Sequence, residues 1–572
     1  MADKTERLVG DSEEVDDETW SRMGLRERYR LYFSRRSASN YTMPVFLVAA
    51  LYSSVGLVWA AGYYWLAMNR SESIFSPGNA RIFIVYNVLH GVCGLGATCG
   101  PLGLKNRVPF CACLLTFLTP GTMCSPLLPG LVGCLQRTPC KRSIVAVLAF
   151  AAYFVALVRA MVDPSEARVA IALAALGVAS LFDTIVFFAS RGEHYGYHLI
   201  CLMFPDWIAG CQWVQLMMYI FAGGAKMGPW FKYVVQVLVK DAIITPCLPK
   251  HTLPRLFYRD WPRDLSPSVL PRALHFFGIV LEWIFPLCCL ATAGSAVNSF
   301  GVYGMTLYHA FIVATLPTAS VFEWQYYCIY TNMFLYGHHN FSIPSSPGLI
   351  VFLLVALFII PIIGHIWPQL VPFLMAYRQY AGNWRMGVWI VRKSAVQKLL
   401  RIKTYNGLLW FDEAPPELGG ARADYSLLAT FMEVPQIRGV PSMLEKFLED
   451  EQASPDDFVF LNTIAVCNAM FGWDGAVGWT SMRECMRQGI LDVCGFSPKE
   501  AYWLMIQPSS ILPPHIVKYQ LVDVTKGPQD AEVFIEVAYQ ELEGTHPIEV
   551  YLDRSKMKRG NSIKGTFLST YY

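Results

Sequence analysis

The chain has 572 residues, of which 54% are hydrophobic and 16% charged, where a soluble protein carries about a quarter charged residues. With a mean hydropathy of +0.35, this composition excludes an ordinary soluble enzyme and points to a polytopic membrane protein in a lipid bilayer. The net charge of +3 is too small to argue for nucleic acid. The sixteen cysteines form no C-x-x-C pair, which excludes zinc-ribbon and thioredoxin-like readings. Most of them lie in or near apolar runs and read as small buried residues.

Residues 1–42 mix acids (Glu13, Glu14, Asp16, Asp17, Glu18) with bases (Arg26, Arg28, Arg30, Arg35, Arg36). This segment is expected to be cytoplasmic and partly disordered, and its polarity argues against a signal peptide. Apolar runs approaching the roughly 20 residues a bilayer requires then predict spans at 43–67, 80–99, 143–162, 168–190, 206–224, 273–294, 298–319, 321–337 and 348–371. Prolines 120, 126 and 129 break the run 108–133, so that stretch is expected to be re-entrant or interfacial.

The arginines before the first span place the N-terminus in the cytoplasm. Counting forward puts Lys226 on the far side. Yet the loop 226–272 carries Lys226, Lys232, Lys240, Lys250, Arg255, Arg259, Arg263 and Arg272, which the same rule prefers inside. Either the span count is off by one, or this loop has a functional reason to sit outside. Beyond residue 371 the run 372–403 mixes aromatics with cations and predicts an interfacial amphipathic helix. Residues 404–572 alternate helical and strand patterns, as in "SMRECMRQGILDVC" and "EVFIEVAYQEL", and predict a soluble α+β domain. The expected fold is therefore an all-α transmembrane bundle of eight or nine spans with a C-terminal α+β domain.

Ionisable groups inside spans are costly and mark functional candidates. Here they are His90, Arg159, Asp183, Glu282, His309 and Glu323. Pairing of Arg159 with Asp183 across adjacent spans is the simplest reading of those two. Glu282 and His309 lie on consecutive spans and could face one interior cavity, though a lone histidine on an apolar helix is more often a satisfied core group. His309, Glu323, His338 and His339 fit no compact metal motif, so no metal is expected. "GLGATCGPLG" at 94–103 follows a span and reads as a tight turn or close helix packing rather than a dinucleotide loop.

The run "QLMMYIFAGGAKMGPWFKY" at 215–233 ends an apolar segment on Lys226. A lysine at a span end commonly snorkels to the interface. Here four small residues, Ala222 to Ala225, let neighbouring backbone approach, and Pro229 and Trp230 follow. A lysine held against packed helices and deprived of water can instead serve as a base.

Gln215, Tyr219, Ala222, Gly223, Lys226 and Trp230 together resemble the signature of the horizontally transferred transmembrane domain superfamily. Its best-known member is vitamin K-dependent gamma-glutamyl carboxylase, where the lysine closing this motif is regarded as the base that deprotonates the hydroquinone. The carboxylase has two lysines in a row, whereas Ala225 precedes Lys226 here. Lipase maturation factors look similar too, and their "H-x-x-E…P" step resembles His275, Glu282 and Pro286 with altered spacing. The resemblance implies Lys226 as base; Glu282 and His309, the ionisable groups on consecutive spans, are the candidate catalytic partners. The cofactor is left open, a quinone being the one the resemblance suggests, and Tyr219, Trp230 and His275 are the candidate cofactor-binding residues. A longer resemblance runs through "FPDWIAG" (204–210), "LFYRDWPRDL" (256–265), "LYGHH" (335–339), "YAGNW" (380–384) and "FGWDGAVGW" (471–479). It is to an uncharacterised membrane family best represented in actinobacteria. The cysteine- and tyrosine-rich wording suggests a eukaryotic relative, and with it the endoplasmic reticulum or plasma membrane. The leading expectation is a membrane enzyme acting on a quinone or lipid. The rival is a non-catalytic membrane factor that handles lipids or assists protein maturation.

Overall fold

The computed structural model describes residues 17–38, 45–68, 72–94, 112–133, 140–240, 252–315, 322–368, 370–371, 381–383, 385–404, 433–472, 484–526 and 533–558. Asn69, in the possible glycan-acceptor sequence "NRS", and most of "GLGATCGPLG" lie outside these residues. The chain is mostly helical and carries a five-stranded sheet near its C-terminus.

Helix α1 (Leu25–Ala38) precedes the bundle. The bundle helices are α2 (Val45–Met68), α3 (Pro77–Val92), α4 (Ile144–Val162), α5 (Glu166–Phe182), α6 (Thr184–Ala189), α7 (Tyr197–Cys201), α8 (Trp207–Ala225), α9 (Phe231–Lys240), α10 (Val269–Cys288), α11 (Ala296–Thr315), α12 (Phe322–Asn332), α13 (Pro347–Leu354) and α14 (Ile360–Ile366). A π-helical turn, Gly192–Gly196, joins α6 to α7; Met333–Gly337 extends α12, and Val355–Ile359 joins α13 to α14. Among the described residues three helical stretches are long and apolar enough to cross a membrane: Ile144–Val162, Val269–Cys288 and Pro347–Ile366. The count of eight or nine spans is thus not reached by length and composition.

Contacts sort the loops onto two ends. At one end Tyr330 donates to the carbonyl of Ile74 at 2.6 Å, Asp206 accepts from the backbone of Ser345 and Ser346, and Ala293 donates to Asn340 at 2.9 Å. At the other end the bundle meets the sheet domain. Lys403 donates to the carbonyl of Pro120 at 2.7 Å, Cys140 touches the carbonyl of Cys485 at 2.8 Å, and Ile511 donates to the carbonyl of His365 at 3.0 Å.

Asp183 belongs to this domain end. Its carboxylate accepts from Arg142 at 2.7 Å and from the Ser125 amide at 3.0 Å. Asp183 also caps α6 by accepting from Ile185, so the chain turns here. The predicted span 168–190 is therefore two elements, α5 and the start of a broken helix running back through α6 and α7. The expected Arg159–Asp183 pair is not formed: Asp183 is taken by Arg142, both 1% exposed, and Arg159 is exposed.

The sheet is antiparallel in the order β4-β3-β5-β6-β7, with β3 Met386–Arg392, β4 Phe458–Asn462, β5 Ala501–Gln507, β6 Ile516–Asp523 and β7 Val533–Ala538. A separate hairpin pairs β1 (Tyr258–Asp260) with β2 (Asp264–Pro267). Within the predicted interfacial helix 372–403, residues 386–392 form strand β3 instead. The run "MGVWIVR" is rich in β-branched and aromatic residues, is buried almost throughout, and pairs with β4 and β5 on its two sides.

Within the N-terminal segment the basic part, residues 25–38, forms helix α1. Arg28 forms two 2.7 Å hydrogen bonds to Asp456. Arg26 pairs with Glu445 and donates to Ser442 at 3.0 Å. Helix α1 is thereby clasped by the sheet domain, and Arg26 and Arg28 are spent on carboxylates.

Candidate functional site

Helix α8 ends on Lys226 because Pro229 cannot continue it and the Lys226 amide already turns back to Gly223 and Gly224. The small residues before it serve close packing. A side chain at Gly223 would put its Cβ 2.7 Å from the Trp283 indole nitrogen and 3.3 Å from Glu282 Cβ. That indole donates to the carbonyl of Ile220 at 3.1 Å, tying α10 to α8.

The contact places Lys226 against Glu282. Lys226 Nζ hydrogen-bonds Glu282 Oε1, and the two residues are 7% and 5% exposed. Lys226 is therefore not a snorkelling edge residue. Tyr308 on α11 donates to the same oxygen at 3.0 Å. Glu282 Oε2 is buried and has no hydrogen-bond partner, a state that costs free energy when no group fills it. The Phe231 ring centre lies 5.1 Å from Nζ and that of Tyr308 6.0 Å, distances at which a ring face attracts a cation.

One face of α10 builds the other wall. His275, Gly278 and Glu282 fall at i, i+3 and i+7. His275 Nε2 bonds the carbonyl of Lys226 at 2.7 Å. Gly278 has Phe231 and Tyr308 beside it, so a small residue separates those two rings. His275 and Phe231 are only partly buried, which makes them the outer layer over the pair.

His309, next to Tyr308, enters a second network. Trp324 donates to His194 Nδ1 at 2.8 Å. An indole nitrogen can only donate, so Nδ1 accepts and the proton sits on Nε2, which donates to Gln215 Oε1 at 2.9 Å. Gln215 Nε2 donates to the Tyr219 hydroxyl at 2.5 Å. Tyr219 then donates to His309 Nε2 at 3.0 Å, and His309 Nδ1 donates to Gln325 Oε1 at 2.5 Å. Every bond points the same way, and the chain of donors starts and ends on neighbouring residues of α12. This arrangement fixes both imidazoles as neutral, each in a single tautomer.

The structure thus brings Lys226, Glu282 and His275 together and seats Tyr219 with His309 one residue from Tyr308. Trp230 goes elsewhere. Its indole donates to the carbonyl of Ala225 at 2.8 Å, and its ring meets His515 and Tyr539 edge-on at the sheet-domain seam. Glu323 pairs with Arg191 at 2.7 Å. His338 stacks on Phe75 at 4.7 Å. No group of three metal-ligating side chains occurs among the described residues. Sequence reasoning did not single out Tyr308, Phe231, Gln325, His194 or Trp324. The adjacency of Tyr308 to His309 was the one available signal.

A helical bundle with buried ion pairs, apolar outer faces and a docked α+β domain defines an integral membrane protein. The chain belongs to a family described as transmembrane protein of unknown function (DUF3556), whose model matches residues 9–539. No curated protein and no solved structure matches it.

Proposed function

We propose that this protein is a membrane enzyme acting on a quinone or other lipid-soluble substrate, with the Lys226–Glu282 pair as its acid–base centre. The observation that carries this reading is the buried, unpartnered Oε2 of Glu282 beside a lysine that is itself out of water. A substrate hydroxyl donating to Oε2 would complete the carboxylate's bonding. The deprotonated form of Lys226 would take the proton of that hydroxyl, and the resulting ammonium would stabilise the oxyanion produced.

The rival reading, a non-catalytic lipid-handling or maturation factor, draws on the same pair as a staple between α8 and α10. Purification of the full chain with its lipids, followed by mass spectrometry of the extract, separates the two. The catalytic reading expects a quinone or hydroxylated amphiphile in the wild type that is lost from Glu282→Leu. An extract indistinguishable between the two proteins, together with full complementation of a deletion strain by Lys226→Arg, overturns it.

The ends defined above also propose an orientation. With the helix broken at Asp183, ten helical passes alternate between the two ends among the described residues. Lys226 then lies on the same side as α1 and the sheet domain, and the basic loop that follows it satisfies the positive-inside rule.

A further inference from the structure

A second surface lies at the domain end of α10, and it stands whether or not Lys226 is catalytic. The β1–β2 hairpin folds the chain back so that Ser268 donates its amide to the carbonyl of Phe257 at 3.0 Å and its hydroxyl to the carbonyl of Leu256. Arg255 and Leu256 thereby come beside Val269 and Leu270. These apolar side chains are exposed, Val269 by 82%, and Phe276 and Phe277 continue the exposed run along α10. The same hairpin and helix start carry four arginines, Arg255, Arg259, Arg263 and Arg272, and all are exposed. Two aspartates, Asp260 and Asp264, offset part of this charge. Arg259 reaches Asp264 only at 3.7 Å. Asp264 also accepts from the amide of Ser266 at 2.9 Å. Arg255, Arg263 and Arg272 make no hydrogen bond or ion pair among the described residues.

Exposed apolar side chains interleaved with unpaired guanidinium groups are unfavourable in water and in hydrocarbon alike. They suit the boundary between the two, where the stems lie among the first methylenes and the heads meet charge. Guanidinium forks match phosphate oxygens, and an anionic leaflet attracts juxtamembrane cations. We propose that this surface binds the phosphate headgroups of anionic phospholipids, with Leu256, Val269, Leu270 and Phe276 against the adjoining acyl chains. A soluble phosphate would use the arginines and leave the apolar side chains unexplained.

The test is native mass spectrometry of the full chain in detergent micelles, titrated with dioleoyl phosphatidylglycerol or dioleoyl phosphatidylcholine. The wild type should retain phosphatidylglycerol preferentially, and added salt should weaken that lipid but not phosphatidylcholine. Each basic group near a charged surface is worth about fivefold. Joint replacement Arg255→Gln, Arg259→Gln and Arg272→Gln should therefore cost up to about a hundredfold and leave the two lipids equal. The corresponding Arg→Lys triple variant, which keeps the charge, should retain most of the preference. Equal retention by the wild type overturns the proposal, as does salt-independent preference. Undiminished retention by the glutamine variant, or displacement by glycerol phosphate at matched concentration, also overturns it.

Discussion

Replacing Lys226 by alanine removes, among the described residues, the one cation hydrogen-bonded to Glu282, whose remaining described partner is Tyr308. Breaking a buried pair from one side costs about 3–5 kcal/mol, because an uncompensated charge remains. Removing both charges costs far less, since the pair's attraction and its desolvation largely cancel. The double variant Lys226→Ala with Glu282→Leu should thus be more stable than Lys226→Ala alone, with a coupling of about 2 kcal/mol or more. Thermal denaturation in detergent, followed by size-exclusion chromatography with fluorescence detection, reads this directly. Lys226→Arg separates stability from chemistry. It keeps a cation for Glu282, so the protein should stay folded. It should lose function by about 10²–10⁴-fold, the typical contribution of a general base, because guanidinium stays protonated at physiological pH. Additive single and double variants would show that the pair is not the buried unit described. Full function in Lys226→Arg would sink the catalytic reading while leaving the staple intact.

Gly223→Ala forces Trp283 or α10 to move, since the new Cβ would lie 2.7 Å from the indole nitrogen; the expected cost is about 1–3 kcal/mol, measured by the same denaturation assay. Burial holds the His546 imidazole down at about 4, helped by Arg30 and Arg438, so the unfolded chain binds more protons between pH 6.5 and 4 and stability falls as pH drops through that window. His546 meets Phe33 edge-on at 5.6 Å, so protease access to α1 should rise on acidification from pH 7 to 5, and His546→Gln should flatten the response. Cysteine labelling of intact vesicles should modify Arg263→Cys from the side that carries the N-terminus and Ser345→Cys from the opposite one; labelling of both from one side would refute the ten-pass arrangement.

The candidate site was legible in part because charge in an apolar run has few explanations. Lys226, Glu282 and His309 stood out as ionisable residues in greasy sequence, and the structure places the first two in contact. What sequence could not supply was direction. Tyr308 and His309 are neighbours, but on a helix neighbours diverge by about 100°, and one turns to Glu282 while the other turns to Tyr219 and Gln325. Neutral donors and acceptors such as Gln215, Gln325 and Trp324 carry no penalty large enough to stand out, so the polarised network they complete had no signature. Trp230 matched a motif and was read as lining a cofactor site. Its ring is instead committed to a domain that begins more than a hundred residues later, a contact no local pattern encodes.

The orientation conflict has the same origin. Residues 168–190 read as one span because Asp183 is the one ionisable residue between Arg168 and Arg191, and its partners, Ser125 and Arg142, lie on another segment. A lone aspartate among apolar residues reads as a defect, whereas an aspartate that caps α6 and accepts from a buried arginine is a turn. In the proposed ten-pass arrangement this turn supplies one more pass, and the basic loop after Lys226 changes sides. In that arrangement the pair Arg142–Asp183 sets the face on which the candidate site opens. Asp183→Asn, which strips the charge from a pair only 1% exposed, should cost about 3–5 kcal/mol and loosen the 112–142 segment from the sheet domain. Reduced protection of Cys140 against thiol reagents in Asp183→Asn would bear this out. Unchanged protection would mean that the turn is held by the helix ends alone.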